Sequence, residues 1–266
     1  MDTPLNPDEQ AHEARLTTAP RRIALVTGAG RGIGRATALQ LARAGCDLIV
    51  TGRDAGRLQA LVAELRATGA QAQTVLGDLH DEAFWTALAE AAPHVDVLVH
   101  NAAQPAPYGL LQDVSLQALQ QSLDSVLLAG LRLARMVVPH MKAQGWGRIV
   151  YVGSVAWQVG AHGQVGYAAA KSGLQGLVRS LAVEAGRGGI TCNLVEPGFI
   201  DTERTRDAVA EPMRQALAGR TALGREGRAD EVAAVIAFLA SDAASYVTGV
   251  CMPVSGGIEL GMKPWP

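Results

Sequence analysis

The stretch Thr27-Gly28-Ala29-Gly30-Arg31-Gly32-Ile33-Gly34 lies between a strand-like run, Ile23-Ala24-Leu25-Val26, and a helix-like run from Arg35 to Ala44. A glycine-rich turn between strand and helix constrains a chain strongly. It lets backbone come close to a pyrophosphate and places that group at a helix N-terminus. The spacing is Gly-x-x-x-Gly-x-Gly rather than Gly-x-Gly-x-x-Gly alone.

The same strand-then-helix rhythm continues along the chain. Further strand candidates are 47–51, 73–77, 95–99, 148–152, 191–195 and 250–254. Several are continuous apolar runs, as parallel strands covered on both faces require. Helix candidates fall near 33–44, 54–68, 81–91, 115–143, 165–187 and 229–240. This alternation predicts an α/β fold: a Rossmann-type, doubly wound sheet of about seven parallel strands with helices on both faces. Ligands of such sheets bind beyond the carboxyl ends of the strands. Gly28, Gly52, Asp78, Asn101, Ser154 and Pro197 each follow or end a strand candidate, which points to one crevice.

Composition removes several classes. The 266 residues are 48% hydrophobic, enough for a sizeable core, and the net charge of −2 gives no reason to expect nucleic acid. No apolar run approaches the ~20 residues needed to span a bilayer. Residues 1–20 carry Asp2, Asp8, Glu9 and Glu13 without an apolar segment, so a flexible tail and a cytoplasmic protein are expected. Residues 21–266 read as one domain. Cys46, Cys192 and Cys251 are isolated and odd in number, which fits reduced thiols. No His, Cys and carboxylate cluster points to a metal.

Chemistry concentrates in Tyr167-Ala168-Ala169-Ala170-Lys171, with Ser154 thirteen residues before the tyrosine. Residues four apart share one helix face. A tyrosine has an ordinary pKa of about 10, and a nearby lysine cation is expected to lower it. A serine hydroxyl can then hold a substrate oxygen while the phenol gives or takes a proton. Tyr and Lys at this spacing are, alone, more often a solvated face.

The set Thr27 to Gly34, Asn101-Ala102-Ala103, Ser154, Tyr167, Lys171, Pro197-Gly198 and Thr202 resembles the short-chain dehydrogenase/reductase family, in the family's order, from about Arg21 to Gly257. The compact single-domain members that reduce 3-oxoacyl carrier-protein thioesters are the nearest in pattern. The resemblance implies a nicotinamide cofactor held by Gly28, Gly30, Arg31, Gly32, Ile33, Gly34, Arg53, Asp78, Leu79, Asn101, Ala102, Ala103, Tyr167, Lys171, Pro197, Gly198, Ile200 and Thr202. Asp78-Leu79 would meet the adenine; capping of helix 81–91 is the other reading of Asp78. Ala103 stands where the family has glycine. Pro197, Gly198 and Thr202 would orient the nicotinamide carboxamide. Ser154, Tyr167 and Lys171 would be catalytic. The irregular stretch 199–227 would be a lid, and a homotetramer is expected, with a dimer as the alternative.

An acidic residue ending the second strand would select NAD(H) by bonding the ribose hydroxyls. Thr51-Gly52-Arg53 has none there, and Arg53 can pair with a 2′-phosphate. NADP(H) is therefore expected over NAD(H); a solvated Arg53 starting a helix with Asp54 is the bland alternative. One departure stands out. The family's fourth-helix asparagine, which holds a water in a proton relay, falls near Val126, with Ser125 the neighbouring polar candidate. His100 reads as a packed histidine and His162 as a loop residue. Pocket candidates are Gln104 to Tyr108, Ala156 to Val159, His162 and the lid from Phe199. They favour a neutral ketone, aldehyde or secondary alcohol. A 3-oxoacyl thioester and a sugar or polyol are the enzymatic alternatives, and a nucleotide-binding module with impaired catalysis is the non-enzymatic one. Arg132, Arg135, Arg179, Arg204 and Arg206 are scattered candidates for a carrier-protein patch.

Overall fold

The computed structural model describes residues 21–104 and 107–261. The tail over 1–20, Pro105 and Ala106 of the pocket candidates, and Trp265 lie outside the described residues. Strand β1 (Ile23–Thr27) leads through the glycine turn into α1 (Gly32–Arg43). Then follow β2 (Asp47–Gly52), α2 (Ala55–Ala67), β3 (Ala72–Leu76), α3 (Glu82–Ala91) and β4 (Val97–His100). The second half adds α4 (Leu116–Leu123), α5 (Ala129–Gln144), β5 (Gly147–Val152), the short α6 (Ala156–Val159), α7 (Val165–Gly186) and β6 (Ile190–Pro197). It closes with β7 (Ile200–Asp201), α8 (Glu203–Ala208), α9 (Glu211–Ala218), β8 (Gly227–Arg228), α10 (Ala229–Leu239) and β9 (Cys251–Val254).

Seven strands pair in parallel in the order β3-β2-β1-β4-β5-β6-β9. The expected fold is therefore the observed one. Alternation along each strand supplies two cores. Ala24 and Val26 face one side and Leu25 the other; Val97 and Val99 oppose Leu98; Val150 and Val152 oppose Ile149. Each fully buried aliphatic side chain of this kind contributes about 1.5–3 kcal/mol. Strand order reverses between β1 and β4, which opens the crevice at their carboxyl ends.

Two expectations change. The single helix over 115–143 is instead α4 and α5, joined by a π-helical turn at Asp124–Leu128. The N-cap position of helix α3 is Asp81, which makes no side-chain capping bond, so Asp78 is not its N-cap. The stretch 199–227 is bounded by its own two-stranded parallel pair. Ile200 and Asp201 of β7 stand opposite Gly227 and Arg228 of β8, and the Gly227 N–H donates to the Phe199 carbonyl over 3.0 Å. This pair ties both ends of the segment together and leaves α8 and α9 projecting between them.

Candidate active site

The glycine turn is shaped by contact as well as by torsion. Gly28 and Gly32 have φ of 65° and 53°, in the left-handed region that glycine adopts without strain. A Cβ on Gly28 would stand 2.9 Å from the Ala102 Cα. Asn101 stitches this turn to β4: its side-chain amide donates to the carbonyls of Thr27 (3.2 Å) and Gly28 (3.1 Å). Helix α1 begins after extended Arg31, with no side-chain cap and no acidic residue in its first turn. Its free N–H groups and dipole suit an anion.

Across the crevice, Ser154 follows β5, and its hydroxyl accepts from the Ala156 N–H over 3.1 Å. Tyr167 and Lys171 lie one turn apart on α7. Lys171 is only 3% exposed; its ammonium donates to the Val152 carbonyl over 2.6 Å and stands 5.7 Å from the Tyr167 ring centroid. Burial is the largest influence on both groups. It pushes the Tyr167 phenol up, against the opposing effects of a Ser154 hydrogen bond and the Arg204 charge. It pulls Lys171 down to about 7, helped by Arg204. The expectation that Lys171 lowers the tyrosine is thus corrected. The ammonium is aimed at a carbonyl, and desolvation of the phenolate outweighs the lowering influences. The phenol is protonated near pH 7, as an unperturbed tyrosine is, and burial makes it a weaker acid than a free one.

Arg53 is 63% exposed and donates to Asp78 and to Gln104, each over 3.1 Å. Asp54, not Arg53, starts the next helix, accepting from the Arg57 N–H over 3.0 Å. Asp78 also accepts from the His80 ring and backbone. Leu79 and Ala103 pack partly against the core beside it. Pro197 ends β6, and the Gly198 N–H donates to Val254 over 3.1 Å. Ile200 is buried, and Thr202 caps α8 while touching the space above Gly32. All these positions lie along the same edge of the sheet. Tyr108 and Val159 are exposed; His162 stays in the loop ahead of α7.

The position of the missing asparagine is the π-turn itself. Ser125 is engaged elsewhere: its hydroxyl accepts from the Gln104 N–H over 3.0 Å. The Val126 carbonyl instead accepts from His100 Nε2 over 3.0 Å. Thr27 Oγ1 accepts from the N–H groups of Asn101 and Ala102, so its own proton goes to His100 Nδ1 at 2.9 Å. This fixes the neutral tautomer with hydrogen on Nε2. His100 is 2% exposed, and burial, then the Lys171 charge, lowers its pKa from 6.5 to about 4. The unfolded chain therefore takes up this proton first as pH falls from 6.5 towards 4, and stability is lost across that window. The loss attributable to His100 should reach about 3 kcal/mol. Urea midpoints between pH 7 and 4.5 should fall less steeply in His100→Asn; identical slopes would refute the assignment.

One residue of this edge escaped sequence reasoning. Glu196 interrupts the otherwise apolar end of β6 and is 1% exposed, yet no ion pair reaches it among the described residues. A carboxylate in the last residues of a buried strand, directly before Pro197-Gly198, was the available signal.

A parallel doubly wound sheet with a glycine cradle at one strand end and a Ser-Tyr-Lys group at another defines a dinucleotide-dependent oxidoreductase. A family model described as Enoyl-(Acyl carrier protein) reductase matches residues 28–259. The chain is 42% identical over 248 residues to the 3-oxoacyl-(acyl-carrier-protein) reductase FabG of Pseudomonas aeruginosa, covering 90% of this chain and 98% of that protein. Identity to the FabG of Escherichia coli K12 is 39% with the same coverage. Among solved structures, a 3-oxoacyl reductase of Agrobacterium tumefaciens with NADP bound superposes with a TM-score of 0.82 at 33% identity, covering 89% of this chain and 93% of that one. An NAD(P)-dependent gluconate 5-dehydrogenase of Beutenbergia cavernae with bound NADP gives 0.83 at 37%, covering 89% and 96%. The chain belongs to the short-chain dehydrogenase/reductase family.

Proposed function

We propose that this protein is an NADP(H)-dependent oxidoreductase that interconverts a ketone or aldehyde and an alcohol. The observation that carries the reading is the half-buried Tyr167 beside Ser154 and Lys171, at the same sheet edge as the glycine cradle. The cradle fits a dinucleotide: a Cβ would intrude at Gly28 and Gly34, and the start of α1 leaves its N–H groups free. Gly28, Gly30, Arg31, Gly32, Ile33 and Gly34 would hold the pyrophosphate end. Arg53 and Arg31 would take the 2′-phosphate, Asp78 and Leu79 the adenine. Asn101, Ala102, Ala103, Pro197, Gly198, Ile200 and Thr202 would line the nicotinamide half. When bound, the cofactor supplies or accepts hydride. Ser154 holds the substrate oxygen, Tyr167 gives the proton in reduction and takes it in oxidation, and Lys171 stands on the same helix face to hold the ribose.

The segment 199–227 serves as a lid on this reading, hinged at the β7–β8 pair, over one domain spanning 21–266. Exposed Leu116 (83%), Leu128 and Leu131 on and beside α4 and α5 support assembly into a homotetramer, with a dimer the smaller alternative. Among the described residues no helix is long and apolar enough to cross a membrane. We place the protein in the cytoplasm, in keeping with three unpaired thiols.

A 3-oxoacyl thioester is the second reading, favoured by the two FabG relatives. Two of the cations considered for a carrier-protein patch are already paired, Arg132 with Glu82 and Arg206 with Asp201. The deciding assay is NADPH oxidation against ketones, aldehydes, a 3-oxoacyl thioester and a keto-sugar acid, with NADH in parallel. Turnover that requires NADPH supports the reading, and its absence across the panel with intact NADPH binding supports the nucleotide-binding module instead. Arg53→Ala should weaken NADPH binding about tenfold, the worth of a charge-assisted contact at an exposed site, and leave NADH unchanged. The NADPH dissociation constant should also rise with ionic strength in the parent protein. Equal affinity for the two cofactors, untouched by the substitution, would remove Arg53 from the phosphate site.

A further inference from the structure

Glu196 is a buried carboxylate surrounded by neutral donors. Its Oε1 accepts from the Trp157 indole N–H over 2.7 Å and from the Gln175 amide over 3.3 Å; its Oε2 accepts from the Gln158 amide over 3.2 Å. Burying a charge without a counter-ion is costly, and each donor recovers part of that cost. The side chain also crosses the strand end that carries the catalytic serine. A Cβ placed on Gly153 would stand 3.2 Å from the Glu196 Cγ. Three separate segments therefore meet at one carboxylate. Trp157 and Gln158 belong to α6, directly after Ser154. Gln175 lies one turn beyond Lys171, on the face of α7 that carries Tyr167. Glu196 itself immediately precedes Pro197-Gly198.

Nothing in the hydride chemistry needs this group, and no local rule places it there. Helix α6 has no buried residue of its own, and among the described residues the Ser154 hydroxyl, which accepts from the Ala156 N–H, is the other side chain that hydrogen-bonds to it. Its position depends on what Trp157 and Gln158 grip. Trp157 is also the largest side chain among the pocket candidates next to Ser154.

We propose that Glu196 is a specificity-determining positioning residue: it pins Trp157 and Gln158 so that α6 forms a fixed wall of the substrate pocket beside Ser154. The inference rests on the carbonyl-reductase reading above. Glu196 acts through Trp157 and touches neither hydride nor proton. Losing the anchor frees the wall, so bulky substrates lose their orientation while small ones, which do not reach the wall, keep theirs.

The test compares a bulky and a small ketone, both turned over by the parent enzyme with NADPH. Glu196→Ala should lower kcat/KM for the bulky ketone about 10- to 100-fold, the cost of misplacing a reactant by about an ångström, mainly through kcat. Its turnover of the small ketone and its NADPH dissociation constant should stay at parent values. Glu196→Gln should restore most of the loss, because the Gln158 amide can flip to accept where it had donated. Trp157→Phe keeps a ring but removes the indole donor. It should reproduce part of the Glu196→Ala effect, and the two changes should be strongly non-additive in combination. Equal losses for both ketones, or additive effects of the two substitutions, would overturn the proposal, as would failure of Glu196→Gln to rescue. Should Glu196→Ala not fold, the Trp157→Phe arm and the Glu196→Gln ratio still decide. Absence of any ketone turnover in the parent enzyme would instead strike the carbonyl-reductase reading itself.

Discussion

Turnover of Tyr167→Phe should fall by about 10²–10⁴-fold, the range that a positioned proton donor contributes. The phenol carries its proton near pH 7, burial pushes its pKa further up, and Ser154 acts against that rise. Phenylalanine fills the same space, so α7 and the neighbouring Lys171 should be undisturbed. NADPH binding should accordingly change little, and thermal unfolding should match the parent within about half a kcal/mol, as for a substitution that leaves no cavity. The comparison to make is single-turnover hydride transfer against NADPH binding by fluorescence. A Tyr167→Phe enzyme that reduces ketones at the parent rate would end the proposed mechanism. The direction of the pH dependence is also set. Lys171 titrates near 7 and loses its charge above that, whereas the phenol stays protonated to higher pH. Ketone reduction should therefore keep its proton donor through neutral pH, and the charge that Lys171 offers a bound ribose should fade as pH rises through 7.

Gly34→Ala should be strongly damaging to the glycine cradle. A Cβ there would stand 2.3 Å from the Gly28 carbonyl oxygen and 2.6 Å from the Asn101 amide nitrogen. Neither neighbour is a free side-chain end. The carbonyl belongs to the turn, and the amide holds that turn to β4 through two hydrogen bonds. Helix α1 would have to move away from β1, costing about 1–3 kcal/mol in stability and displacing the N–H groups that face the anion. NADPH affinity should fall with the loss in melting temperature. Gly30→Ala is the control, because its Cβ would meet only Arg57 Cβ, at 3.5 Å. Calorimetry and NADPH titration of the two variants check this. Equal behaviour would show that close approach at Gly34 is not what shapes the cradle.

The readable parts of this protein are those whose cause is local. Alternating strand and helix periods, a glycine turn with its fixed backbone demands, and a Tyr-Ala-Ala-Ala-Lys face on one helix follow from residues within a few positions of each other. That is why seven strands, the crevice edge and the Ser154, Tyr167 and Lys171 group could be placed from the chain alone. The helix over 115–143 was legible as helix but not its π-turn. Nothing in Asp124 to Leu128 announces the break, which coincides with a carbonyl held by His100 from another strand.

What tertiary structure decided lies between residues far apart in the chain. Thr27 and His100 are 73 positions apart, and Glu196 gathers partners 39, 38 and 21 positions away. The direction of each pKa belongs to this level too. A lysine four residues from a tyrosine promises a lowered phenol, but burial of both groups raises the one and lowers the other. Sequence spacing sets which side chains can meet on one element. Desolvation and hydrogen-bond geometry depend on what the rest of the fold places around them, and only the packed molecule contains that.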